Sequence, residues 1–175
     1  SSLFLNPEGI HYGKGQETLK DTAKVLSEYA DIIMLRTSSH ENLEEFGKHL
    51  SIPIINGLSN QSHPCQVMSD ILTFEEVKGN ISGKIISWLG DGNNNMSNSL
   101  IEAAGKFGFQ LKIGCPKKYM PNKKILNWAK KNKVNLLVTK KPEEAVKDSD
   151  CVMTDKWVSM NDKVNKKIKK KNLKN

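Results

Sequence analysis

Short apolar runs alternate with segments of helical period along almost the whole chain. The runs DIIML (31–35), IPIIN (52–56), KIISWLG (84–90), QLKIGC (110–115), NLLVT (135–139) and CVMT (151–154) are continuous rather than alternating. That is the pattern of short strands covered on both faces. Between them, residues 16–30, 41–50, 64–79, 97–108, 122–133 and 141–149 read as helices. In the first of these, Leu19, Thr22, Ala23, Leu26 and Ala30 fall on one face at i, i+3, i+4 spacing. Pro121 and Pro142 stand near helix starts, and Gly105 and Gly108 near a helix end. Strand and helix in alternation predict an α/β fold of parallel, right-handed units.

The rhythm breaks once. After IPIING the chain runs through a polar loop into a long helix, then turns at KGNISGK (78–84) before a new set of α/β units. This predicts two α/β halves: residues 1–63, a helix over 64–79 crossing the break, and residues 80–175.

Charge changes the picture less than its total implies. The net charge is +8, but the residues from Lys156 onward hold eight lysines against one aspartate, so the rest of the chain is nearly neutral. A basic body reads as a nucleic-acid binder; a basic end on a neutral body does not. The lysine-rich end KVNKKIKKKNLKN also has no aromatic ring on which a base could stack. With 37% hydrophobic and 26% charged residues the chain can bury a core. No run approaches the roughly 18 apolar residues of a membrane span, and SSLFLNPEGIHYG lacks the regions of a signal peptide. Cys65, Cys115 and Cys151 are odd in number and widely spaced, which points to a reducing, cytoplasmic setting without disulfides or a zinc site.

In open α/β sheets, ligands bind beyond the carboxyl ends of the strands. Arg36 follows DIIML, Asn56 and SNQSHPCQ (59–66) follow IPII, GDGNNNMSNS (90–99) follows KIISWL, and DKWVSM (155–160) follows CVMT. Taken singly, each has an ordinary explanation. Arg36 suits a surface ion pair, His63 a helix start, GDGNNN a turn, and Asp155 a cap. The glycines of GDGNNN miss the G-x-G-x-x-G spacing of a dinucleotide loop. Cys65 has no second His or carboxylate tied to it in sequence to make it a nucleophile. Taken together, the set is hard to explain as scaffold. Arg36 and His63 can donate to an anion or a polarised carbonyl oxygen, and Gln66 adds a neutral amide. Asp155 prefers a cationic amine, while Asn94 can donate to a carboxylate. One side suits an anion; the other suits a zwitterionic amino acid.

HPCQ (63–66) followed by MSDILTFEE (68–76), WLGDGNNNMSNSLIEAAGKFG (88–108) and TDKWVSM (154–160) together resemble ornithine carbamoyltransferase. GIHYGKGQETLKDTAKVLSEYADIIMLR (9–36) and SIPIINGLSN (51–60) fit the same family, so the resemblance runs to about residue 162. Aspartate carbamoyltransferases share H-P-x-Q but not the pairing of GDGNNN with DKWVSM. The resemblance implies transfer of the carbamoyl group of carbamoyl phosphate to the δ-amine of L-ornithine, giving L-citrulline and phosphate. It makes Arg36, His63 and Gln66 the catalytic, carbamoyl-phosphate-binding residues. It makes Asn94 (the second Asn of NNN), Asp155, Ser159 and Met160 the ornithine contacts. It implies neither a metal nor an organic cofactor, and a cytoplasmic homotrimer in arginine metabolism that binds neither nucleic acid nor membrane. The position of Cys65 varies in residue type within the family.

On this footing residues 1–63 are the C-terminal part of a carbamoyl-phosphate domain, 64–79 an interdomain helix and 80–175 an ornithine domain. The family's Ser-Thr-Arg-Thr loop is expected before residue 1 and its His-Cys-Leu-Pro loop after residue 175. The chain therefore reads as an internal, by itself inactive, fragment with both domains incomplete. SMND (159–162) stands where the family has Ser-Met-Gly. A catalytically silent α/β amino-acid-binding module is the alternative from another class.

Overall fold

The computed structural model describes residues 4–5 and 17–156, and the structural statements below concern these residues. They form two compact units that divide between Asn60 and Gln61.

The first unit runs α1 (Leu19–Tyr29), β1 (Ile33–Arg36), α2 (His40–His49), β2 (Ile54–Leu58). Thr18 caps α1 by accepting from Asp21 N–H, and Ser39 caps α2 by accepting from Asn42 N–H. Such oxygens satisfy N–H groups that the first helical turn leaves without an intrahelical partner. The two strands are parallel, with Ile33 opposite Ile54 and Leu35 opposite Asn56. The register then shifts so that Arg36 faces Leu58, leaving Gly57 as the extra residue. Bulges of this kind re-aim the side chains beside them.

Here the structure corrects the expectation of strands covered on both faces. Ile33 and Leu35 are half-buried, but Met34 between them is 65% exposed, and Ile55 is exposed too. The connection from β1 to β2 is α2, and α1 packs beside α2. A right-handed crossover lays its helix on one side of the sheet, so the other side stays open. Ala23, Leu43 and Phe46 are the buried hydrophobics of this small core.

The second unit runs α3 (Pro64–Lys78), β3 (Ile85–Leu89), α4 (Asn95–Phe107), β4 (Gln110–Gly114), a 3-10 turn (Lys117–Tyr119), α5 (Lys123–Lys131), β5 (Leu136–Thr139), α6 (Pro142–Val146) and β6 (Cys151–Met153). The four strands are all parallel, in the order β5-β4-β3-β6. Successive residues of a strand point to opposite faces. Ile86, Trp88, Leu111 and Ile113 join Leu100, Ile101 and Ala104 of α4, Ile125 and Ala129 of α5, and Val67, Ile71 and Phe74 of α3 in one core. Each large apolar side chain buried there contributes about 1.5–3 kcal/mol.

The opposite face of the sheet meets α6. Ser87 Oγ donates to Ala145 O at 2.6 Å, Lys112 Nζ donates to Lys147 O at 2.6 Å, and a Cβ on Gly114 would lie 2.9 Å from Ala145 Cβ. β3 and β4 are therefore covered on both faces, as their apolar runs predict. The helix at 64–79 forms as expected, and its buried face belongs to the core of the second unit.

Candidate functional site

The strand order reverses at β3. From β3 the chain steps outward through β4 to β5, then returns by α6 to lay β6 on the other side of β3. A crevice opens beyond the carboxyl ends of the strands at such a switch point. The loops leaving β3 and β6 flank it, and these loops carry Asn94 and Asp155.

Several groups hold the loop after β3. Gly90 has φ 136°, a backbone conformation that side chains disfavour. Trp88 Nε1 donates to Asp91 O at 3.0 Å, and Asp91 Oδ1 accepts from Asn93 N–H at 2.9 Å. Asn122 Nδ2 donates to Asn93 Oδ1 at 3.1 Å. A Cβ on Gly92 would lie 2.9 Å from Tyr119 O and 3.0 Å from Cys115 Sγ, so the loop packs closely against the segment after β4.

Asn94 is the N-cap of α4. Its Oδ1 accepts from Ser97 N–H at 2.8 Å, while its own N–H donates to Ser97 Oγ at 3.2 Å, a reciprocal capping box. The oxygen is thus engaged, and the amide group left to meet a ligand is the Nδ2 donor. α4 begins at Asn95, two residues before the helical pattern predicts, because the Asn94 cap extends it.

On the neighbouring strand, Thr154 Oγ1 donates to Leu89 O at 2.8 Å, which ties the exit of β6 to the end of β3. Asp155 follows, exposed, with Oδ1 accepting from Lys156 N–H at 2.6 Å. Ser159 and Met160 lie outside the described residues.

His63 and Gln66 reach the same end of this unit on α3. His63 is the N-cap of α3 but does not use its imidazole as the cap, and Pro64 opens the helix. Pro at the first helical position removes a donor that has no intrahelical partner there. α4 holds the loop before it: Asn98 Nδ2 donates to Gln61 O at 3.0 Å, and His63 N–H donates to Ser99 Oγ at 2.8 Å. Gln66 is exposed and donates from Nε2 to Asp70 Oδ1 at 2.9 Å, which presents its Oε1 as an acceptor. Nothing in the residue pattern pointed to Asn98 and Ser99. Their role depends on α3 packing beside α4.

Arg36 belongs to the first unit. It is the last residue of β1 rather than the residue after it, just past the register shift, exposed and without an ion pair among the described residues. Asn56 likewise lies within β2. The loop leaving β2 is pinned to the start of α2, where His40 N–H donates to Asn60 Oδ1 at 3.0 Å and His40 Nδ1 lies 2.9 Å from Ser59 Oγ.

None of the three cysteines is in a disulfide. Burial pushes the Cys115 thiol up to about 11, and the Asp91 carboxylate adds to the rise against the opposing Gly92 N–H. Burial also raises Cys151, helped by Asp70 and opposed by Lys78. A raised thiol stays protonated at neutral pH and is a poor nucleophile. Cys65 sits at the second position of α3, where its carbonyl accepts from Ser69 Oγ at 3.1 Å. Among the described residues, no helix is long and apolar enough to cross a membrane, and no group of three His, Cys, Asp or Glu side chains comes together to hold a metal ion.

The second unit is thus a parallel α/β sheet whose strand order reverses at β3, with Asn94 and Asp155 in the loops beyond β3 and β6. Residues 1–76 match the model of the aspartate/ornithine carbamoyltransferase carbamoyl-P binding domain, and residues 82–175 that of the Asp/Orn binding domain. The chain belongs to the aspartate/ornithine carbamoyltransferase family.

It is 48% identical over 160 residues to an ornithine carbamoyltransferase of Rhizobium meliloti, covering 91% of this chain and 52% of that protein. Against its counterpart in Mesorhizobium japonicum it is 50% identical over 159 residues, with the same coverage. The solved structure of the ornithine carbamoyltransferase of Pyrococcus furiosus superposes with a TM-score of 0.88 at 38% identity, over 98% of this chain and 55% of that one. The anabolic enzyme of Campylobacter jejuni gives 0.84 at 35% identity, over 92% and 55%. The chain spans about half the length of the curated relatives it matches.

Proposed function

We propose that the chain is part of an ornithine carbamoyltransferase, which moves the carbamoyl group of carbamoyl phosphate onto the δ-amine of L-ornithine. The observation that carries this reading is that Asn94 and Asp155 stand in the segments that follow the adjacent strands β3 and β6. A donor amide beside a carboxylate suits the carboxylate and amine of an amino acid. The names of the similar proteins supply the particular amino acid.

Carbamoyl phosphate already carries a good leaving group. The protein's task is then to align a neutral amine with the carbonyl carbon and to stabilise charge on the oxygens. Arg36 and His63 donate to the carbonyl and phosphate oxygens, while Gln66 Oε1 accepts from the carbamoyl N–H. The amine attacks the carbon, the C–O bond to phosphate breaks, and the amine's surplus proton leaves to solvent or phosphate. Asn94, Asp155, Ser159 and Met160 hold ornithine. Residues 1–63 serve the carbamoyl-phosphate side, 64–79 connect, and 80–175 serve the amino acid, in a cytoplasmic homotrimer.

The full-length protein containing these residues is expected to form citrulline and phosphate in equal amounts from the two substrates. Ornithine binding without citrulline would instead establish the silent amino-acid-binding module.

Cys65 has no chemical part in this scheme. In the full-length protein, Cys65→Thr is expected to keep at least about half of kcat/KM for both substrates, measured as citrulline formed. A folded but dead variant would make the thiol a nucleophile.

A further inference from the structure

The N-cap of α3 is satisfied in an unusual way. In a capping box a Glu or Gln three residues after a Ser or Thr cap reaches back so that its oxygen accepts the cap's own N–H, and Gln66 stands at that position relative to His63. In α4 the residue at that position does this, since Ser97 Oγ accepts from Asn94 N–H. In α3 it does not. The His63 N–H donates to Ser99 Oγ of α4 at 2.8 Å, and Gln66 Nε2 is turned to Asp70. Ser99 is 4% exposed, so its hydroxyl is held in place by packing.

We infer that Ser99 is a positioning residue: by accepting the His63 N–H it occupies the place that Gln66 Oε1 would take, and so keeps Gln66 available to carbamoyl phosphate. This rests on the proposed reaction. Asn98, by holding Gln61 O, keeps the loop within reach of Ser99. α4 then serves both substrates, with Asn94 at its tip for the amino acid and Ser99 in its second turn for the carbamoyl donor. In the absence of the hydroxyl, Gln66 can close the capping box on its own helix, so the loss falls on ligand binding more than on folding.

The test is a double-mutant cycle in the full-length protein, with Ser99→Ala, Gln66→Ala and the pair. Ser99→Ala is expected to raise KM for carbamoyl phosphate by up to about tenfold, the upper scale of one neutral hydrogen bond, with the ornithine KM changed less than about threefold. The pair should be no worse than Gln66→Ala alone, because both changes remove the same contact. Ser87→Ala, which deletes a buried hydroxyl bonded to Ala145 O on the far side of the sheet, serves as the control for destabilisation and should leave both KM values near the parent's. An unchanged carbamoyl-phosphate KM in Ser99→Ala, or effects that multiply in the pair, overturns the inference.

A crystal structure of Ser99→Ala reads the same exchange without turnover. Gln66 Oε1 on the His63 N–H is expected, and Gln66 remaining on Asp70 overturns the inference. If the parent makes no citrulline, the proposed reaction fails on that result alone, and the crystal structure still decides the exchange.

Discussion

Residues 1–175 expressed alone are expected to release no citrulline above a protein-free blank when given ornithine and carbamoyl phosphate. In the proposed reaction Arg36 and His63 donate to carbamoyl phosphate, but neither Ser-Thr-Arg-Thr nor His-Cys-Leu-Pro occurs in these residues. The resemblance makes the Ser-Thr-Arg-Thr run the phosphate loop. Deleting one preorganised donor from such a site slows reactions by roughly a hundredfold to a thousandfold, and several donors are missing together. The piece is also expected to associate. Tyr29, Met34 and Val77 are 80%, 65% and 75% exposed, and exposed apolar surface of this kind promotes association. The measurement is citrulline formed by residues 1–175 beside the full-length protein at equal concentration. Turnover by the shorter polypeptide would show that the residues named for the chemistry are the wrong ones.

Asp155→Asn in the full-length protein is expected to weaken ornithine by roughly tenfold to over a hundredfold, the range for losing a charged hydrogen bond. Carbamoyl phosphate should be largely spared, since only the amino acid brings a cation to this carboxylate. The side chain is exposed, and among the described residues it bonds to the adjacent Lys156 N–H, so the melting temperature should hardly move. Separate titrations with ornithine and with carbamoyl phosphate make the distinction. Equal weakening of both would remove Asp155 from the ornithine side.

The element types were legible because each has its own period. All six apolar runs are strands and all six helical patterns are helices, and the shifts at their ends have local causes. α4 starts early because Asn94 caps it, and β1 extends through Arg36 because the strand continues past the register shift. The reading of β1 and β2 as covered on both faces failed for a different reason. IML and PII are as apolar as the runs of β3 and β4, but coverage depends on how many helices cross and on which side. Along β1, half-buried Ile33 and Leu35 alternate with exposed Met34, which marks one face as uncovered among the described residues.

The residue types at the candidate site were also legible, since a loop of Gly, Asp and Asn, a His at a helix start and an Asp after a strand, each ordinary singly, are together hard to explain as scaffold. Their roles in the sequence rested on a family resemblance, and the geometry adds what each group has left to offer. The Asn94 oxygen is tied into its cap, so Nδ2 remains. Gln66 Nε2 is tied to Asp70, so Oε1 remains.

The sequence by itself determined the order of strands and helices and which polar residue types stand just beyond the strand ends. These follow from local periodicity and side-chain type, which act over a few residues. Only the tertiary structure decided that β6 returns beside β3, bringing Asp155 to the strand next to the one that leads to Asn94, though more than 60 residues of chain separate β3 from β6. Only it decided that Ser99 takes the His63 N–H, a bond between residues 36 apart. Such pairings are set by which apolar faces bury against one another, a choice made by the whole core.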